Sequence, residues 1–129
     1  MLIYPDVREA VDWLCRVFGF SERLQIGDSH RSQLQIGNAG AVIVGDVRGN
    51  HKPPQDEIIS HQIIVRIESL KDHYAQAYSL GARILSEPTD FPYGERKYEA
   101  EDLAGHYWIF TETIKDVDPQ EWGGLLKIS

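Results

Sequence analysis

The chain has 129 residues, 42% hydrophobic and 26% charged, the composition of one globular domain with enough apolar content for a core. Its net charge is −7 with no block of Lys or Arg, so neither nucleic acid nor an anionic membrane is an expected partner, since phosphate binding needs concentrated positive charge. No apolar run reaches membrane-spanning length, the opening residues lack an export signal, and the single cysteine, Cys15, excludes an internal disulfide; the expected location is the cytoplasm.

Residues 2–4 read as a short strand. Asp6 and Glu9 then form an Asp-x-x-Glu capping box that opens a helix. Val7, Ala10, Val11, Leu14, Val17 and Phe18 recur at helical spacing, and Gly19 is placed to end it. Cys15 and Trp13 lie on this helix, where packing explains them better than chemistry does. Three strands are expected next, at about 22–26, 31–36 and 41–46, separated by turns at Gly27-Asp28-Ser29 and Gly37-Asn38-Ala39-Gly40. Residues 47–57, with Gly49, Asn50, Pro53 and Pro54, read as a linker.

Beyond the linker the pattern repeats. A strand is expected over 58–67 and a helix over 70–80 capped by Ser69; Gly81 ends that helix, and a strand follows at 82–85 and a loop at 88–92. A hairpin then turns on Asp102-Leu103-Ala104-Gly105, where Asp accepts backbone N–H bonds and Gly supplies the positive φ of a G1 bulge. In that register Ala100 faces Trp108 and Tyr98 faces Phe110 under the helix, while Lys97, Glu99, Tyr107, Ile109 and Thr111 share the other face. Gly19 and Gly81 are 62 residues apart, and Gly40 and Gly105 are 65 apart. The fold class is therefore α+β, two βαβββ modules at about 1–46 and 58–112 followed by a tail at 113–129. Each module buries one sheet face under its helix and leaves the other bare, so pairing modules, within a chain or across a dimer, makes a groove between sheets.

The run Tyr93-Gly94-Glu95-Arg96-Lys97-Tyr98, followed by Asp102-Leu103-Ala104-Gly105-His106-Tyr107-Trp108, resembles the second-half hairpin of the vicinal oxygen chelate superfamily. The match is to its glyoxalase/bleomycin-resistance-like branch, where Y-G-x-R-x-Y precedes D-P-x-G-H-x-W; here Leu103 replaces the Pro, which a type I turn accepts. The tail Asp116-Val117-Asp118-Pro119-Gln120-Glu121-Trp122-Gly123 is similar to that branch's D-V-x-P-x-x-W-G and reads as a helical turn docked by Trp122, a lid or dimer clasp.

The resemblance implies a half-barrel pair, a homodimer, and in the superfamily's enzymes a divalent metal held by His and Glu at the module interface. Carried across residue by residue, the ligand positions fall on Ile109, Gln62, a residue near Val44 and the opening Leu2-Ile3-Tyr4, with His61 and Glu112 as near misses. No metal or other cofactor is therefore expected. The remaining histidines, His30, His51, His73 and His106, show no metal-ligand spacing. No nucleophile–base set or phosphate-binding loop can be read either.

The expected ligand-binding residues are Gln33, Gln35, Tyr93, Arg96, Tyr98, Glu99, Tyr107 and Ile109. In the functional reading Arg96 holds an anionic or carbonyl oxygen while tyrosines stack on a planar ring. The alternative pairs Arg96 with Glu95, Glu99, Glu101 or Glu112 and buries the tyrosines in the sheet. The reading favours a metal-independent protein that sequesters an antibiotic or another aromatic or amphipathic compound, as bleomycin-resistance proteins do, over a metal-dependent glyoxalase-type lyase or isomerase.

Overall fold

A computed structural model describes residues 1–37, 39–49, 51–55, 61–125 and 127. The first half runs β1 (Leu2–Ile3), α1 (Val7–Phe18), β2 (Ser21–Ile26), β3 (Arg31–Ile36) and β4 (Gly40–Gly45). The second runs β5 (Ile63–Arg66), α2 (Leu70–Ser79), β6 (Arg83–Asp90), β7 (Glu95–Glu101) and β8 (Tyr107–Thr113). Each half is one four-stranded sheet, ordered β1-β4-β3-β2 and β5-β8-β7-β6, and only β1–β4 and β5–β8 pair in parallel. The repeat is thus present in the fold.

Helix α1 forms as its spacing dictates. Asp6 accepts the Glu9 amide at 3.0 Å, and Gly19, at φ 76°, closes the helix with its N–H on the Cys15 carbonyl. The six periodic apolar residues are the buried ones. Cys15 is a half-buried free thiol, pushed up chiefly by that burial.

Helix α2 departs from expectation. Ser69 sits in the left-handed region at φ 52° and its side chain caps nothing. Glu112 of β8 takes over that role: its carboxylate accepts the Ser69 amide at 3.0 Å and the Leu70 amide at 3.2 Å.

Strand β5 is shorter than the expected 58–67; residues 56–60 lie outside those described, and His61 and Gln62 precede the strand. Strand β6 is longer than expected and carries Pro88 on the sheet's edge, where a missing donor costs no ladder bond and two register shifts accommodate it. The β7–β8 hairpin has the expected register, with Ala100 opposite Trp108 and Tyr98 opposite Phe110. Asp102 Oδ1 accepts the Ala104 and His106 amides, each at 3.0 Å, and Gly105 holds φ 94°.

One core spans both halves. Phe18 meets Phe110 and Trp108 at ring separations of 4.9 and 5.6 Å. Polar ties reinforce the junction. The buried Asp102 Oδ2 accepts Tyr4 Oη at 2.5 Å and Trp108 Nε1 at 3.0 Å. His106 Nε2 donates to the Ile3 carbonyl at 2.8 Å, and Gln76 Nε2 to that of Arg16 at 2.9 Å. Burial beside the Asp102 charge pushes the Tyr4 phenol far up, so it remains a donor.

The tail forms a 3-10 turn at Pro119–Trp122, with Asp118 accepting the Gln120 amide. Trp122 lies 5.4 Å from the Tyr93 ring, the docking expected of it.

Candidate functional site

Strand alternation decides what each sheet shows on its helix-free face. In the first sheet Ser32, Leu34 and Val44 are buried beneath α1. Arg31, Gln33 and Gln35 therefore point the other way, beside Ile43 and Ala41 of β4. A bulge between Glu22 and Leu24 reverses the parity of β2, bringing Leu24 opposite Gln33 and Ile26 opposite Arg31. Leu24, Ile26 and Ile43 are 51%, 46% and 37% exposed there.

In the second sheet Tyr98, Ala100, Trp108 and Phe110 lie under α2. Lys97, Glu99 and Glu101 face outward opposite Thr111, Ile109 and Tyr107. On β5, Ile64 and Arg66 continue these rows and Ile64 is 62% exposed. The helices touch each other, so both uncovered faces lie on the side away from them.

Five of the expected ligand-binding residues, Gln33, Gln35, Glu99, Tyr107 and Ile109, stand on these uncovered faces, though Ile109 is nearly buried by its neighbours and Gln35 Nε2 is engaged by the Gly37 carbonyl. Two do not. Tyr98 shares the parity of Ala100, so its ring is buried and its hydroxyl meets His73 Nδ1 at 2.5 Å; burial pushes that phenol up. Arg96 is on the same helix-side face and clasps Asp90 of β6 through Nε and Nη2 at 2.6 and 3.1 Å, a partner outside the four glutamates considered from the sequence. Tyr93 precedes β7, stacked on Phe91 at 5.4 Å, with Lys97 Nζ 5.0 Å from its ring.

Sequence reasoning missed Leu24, Ile26, Ile43, Ile64 and Arg31. Alternation within β3, β4 and β5 carries the signal for three of them, Arg31, Ile43 and Ile64, whereas β2 hides Leu24 and Ile26 behind the bulge.

The sheets meet along a seam. Two-residue β1 pairs only with Val44 and Gly45, so the first part of β4 has no strand on that side, and β5 ends its own sheet. Two cavities open there and share Ile36, Gly37 and Arg66. One, about 590 Å³, is walled by Phe18, Phe20, His73 and Glu112; the other, about 380 Å³, by Val42, Ile63 and Ile64. A third, about 440 Å³, lies by Met1, Ile3, His61, His106 and Tyr107.

Polar groups along the seam are paired. Arg66 reaches Glu95 at 3.1 Å, and Thr111 donates to the same carboxylate at 2.9 Å. Burial raises the Glu95 carboxyl, but hydrogen bonds from Thr113, Arg66 and Thr111 outweigh it and hold it below the usual range. Burial pushes the His73 imidazole down, so it is neutral near pH 7.

The metal positions carried over by resemblance do not fit a metal. Ile109 is aliphatic and packed; Val44 turns under α1, leaving Ile43 and Gly45 as its outward neighbours. Glu112 is committed to the α2 terminus, and the His61 ring lies 6.1 Å from that of His106. Among the described residues no group of three or more His, Cys, Asp or Glu could hold an ion. No helix among them is long and apolar enough to cross a membrane.

A family model described as the Glyoxalase/Bleomycin resistance protein/Dioxygenase superfamily matches residues 1–110. The crystal structure of TioX from Micromonospora sp. ML1 is 34% identical, with a TM-score of 0.71 over 87% of this chain and 94% of that one. TnmS3, an antibiotic binding protein from Streptomyces sp. CB03234, superposes with a TM-score of 0.71 at 18% identity, over 87% of this chain and 90% of that one. A glyoxalase/bleomycin resistance protein/dioxygenase from Nocardioides has a TM-score of 0.66 at 16% identity, over 98% and 85%. Comparison with curated protein sequences gave no match.

Proposed function

Because the chain belongs to the glyoxalase/bleomycin resistance protein/dioxygenase superfamily, we propose that it binds and sequesters a small aromatic or amphipathic molecule, an antibiotic among the candidates, in the hollow between its sheets, without a metal. The observation that carries this reading is the pair of adjoining seam cavities, about 590 and 380 Å³, which fall in the size range of small-molecule sites. Their walls combine aromatic and aliphatic side chains with a few polar groups, as such sites do. The antibiotic-binding description of TnmS3, which shares the fold, supports the same class of ligand.

The reading also takes the protein as a homodimer, the second copy roofing the uncovered faces where Leu24, Ile26, Ile43 and Ile64 stand exposed. Gln33, Gln35, Glu99, Tyr107 and Ile109, which stand on the uncovered faces and line neither seam cavity, remain the proposed contacts for a ligand that extends out of the seam, joined by Tyr93 at the sheet's end. Metal independence rests on donor chemistry, since Ile109, Gln62 and Val44 carry aliphatic or amide side chains and the Tyr4 hydroxyl is held by Asp102.

The test is a titration with a broad panel of planar aromatic antibiotics, following Trp fluorescence and melting temperature. Quenching together with a raised melting temperature for at least one compound is expected. A flat response across the panel sinks the binding reading. Stoichiometric zinc, nickel, manganese or iron in protein purified without chelator sinks the metal-free part alone.

A further inference from the structure

The chain is acidic, and its arginines are almost all neutralised. Six of them, Arg8, Arg16, Arg48, Arg66, Arg83 and Arg96, have a carboxylate oxygen within 3.6 Å. Arg31 has none among the described residues, and its Nε is buried without a hydrogen-bond partner. Its neighbours explain why. Opposite it on β2 is Ile26, and opposite it on β4 is Gly45, which offers no side chain and is covered by the Met1 thioether. Along the adjacent row stand Leu24, Gln33 and Ile43.

Arg31 is thus a half-buried guanidinium in an aliphatic patch on the uncovered face of the first sheet. A planar fork of N–H donors that lacks an internal acceptor, its Nε buried and its stem flanked by aliphatic side chains, matches the two oxygens of a carboxylate. The geometry points to a ligand with a defined polarity: one anionic oxygen group, a carboxylate being the best fit, held by Arg31, with an apolar body lying across Ile26, Leu24 and Ile43. Net charge does not argue against this, because exposed charges more than about 8 Å away are largely screened at physiological salt. The inference rests on the binding function proposed above and specifies the ligand class for the uncovered face that carries Gln33, a position outside the two seam cavities.

The test uses a matched pair of probes, naphthalene-2-carboxylate and naphthalene-2-carboxamide, titrated calorimetrically into the full-length wild type, Arg31→Gln and Arg23→Gln. Arg23 likewise lacks an ion pair among the described residues but lies at the β2 bulge, so it controls for bulk charge. The wild type and Arg23→Gln should prefer the carboxylate on the order of tenfold, and Arg31→Gln should lose that preference while keeping its affinity for the carboxamide. Equal binding of the two probes to the wild type overturns the role of Arg31 but leaves the binding function standing. No binding of either probe overturns the inference, and the antibiotic panel above then decides whether the binding function falls with it. An equal loss of preference in both variants assigns it to bulk charge and also overturns the inference. So does a shift of Arg31→Gln toward monomer in sedimentation with its probe preference intact, because the guanidinium would then serve a second copy.

Discussion

His73 of α2 donates its Nε2 proton to the carbonyl of Phe18, the last residue of α1, across 2.8 Å. That carbonyl is only an acceptor, so Nδ1 of the neutral ring carries the lone pair and receives the Tyr98 hydroxyl. One imidazole thereby joins a helix end in the first half to a buried strand in the second.

The first prediction concerns acid. The His73 folded-state pKa is lowered from its ordinary 6.5, by burial first, with the Phe18 bond only partly offsetting it. Between the lowered value and 6.5 the unfolded chain binds more protons than the folded one, so stability rises with pH through that window and falls as pH drops below 6.5. His73→Gln keeps a donor for Phe18 and an acceptor for Tyr98 without the titration. Urea denaturation at pH 5, 6, 7 and 8 should show a shallower acid loss in this variant than in the wild type. Identical slopes would remove His73 as the cause.

The second concerns the start of α2. Because Glu112 and not Ser69 satisfies its first amides, Glu112→Ala should cost about 1–2 kcal/mol while Ser69→Ala stays within about 0.5 kcal/mol. Chemical denaturation of the two variants checks this, and the reverse order would return the cap to the serine.

The third concerns Gly94. It holds φ 84°, its carbonyl accepts the Ile114 and Lys115 amides, and a Cβ there would lie 1.9 Å from the Lys115 carbonyl oxygen. Gly94→Ala should cost about 1–3 kcal/mol for the backbone conformation alone and more for the clash. It should also loosen the tail, read as a red shift in Trp122 emission. Wild-type stability in that variant would show that the tail does not need the close approach.

Much of the fold could be read from the chain because its signals are local. Asp6 with Gly19 frames α1, and Asp102 with Gly105 fixes the hairpin register, each within a few residues. The α2 cap was illegible for the opposite reason: Glu112 arrives from 43 residues away and leaves no mark beside Ser69. The candidate site was read in part. Parity from Asp102 puts Glu99, Tyr107 and Ile109 on one side of the hairpin and Tyr98 and Arg96 on the other, so the aromatic-and-arginine motif divides between structure and surface. The bulge at Arg23 turns Leu24 and Ile26 to the uncovered side, and simple alternation cannot foresee a step of that kind.

The carboxylate of Asp102 binds the chain's fourth residue and its own hairpin with the same two oxygens. Prising the halves apart would break the Tyr4–Asp102 and His106–Ile3 bonds and wet the aromatic core that spans the junction, so hinge opening is a poor route for admitting a guest. Entry falls instead to the solvent-facing side chains and the tail, and affinity should respond to changes there while the junction stays shut.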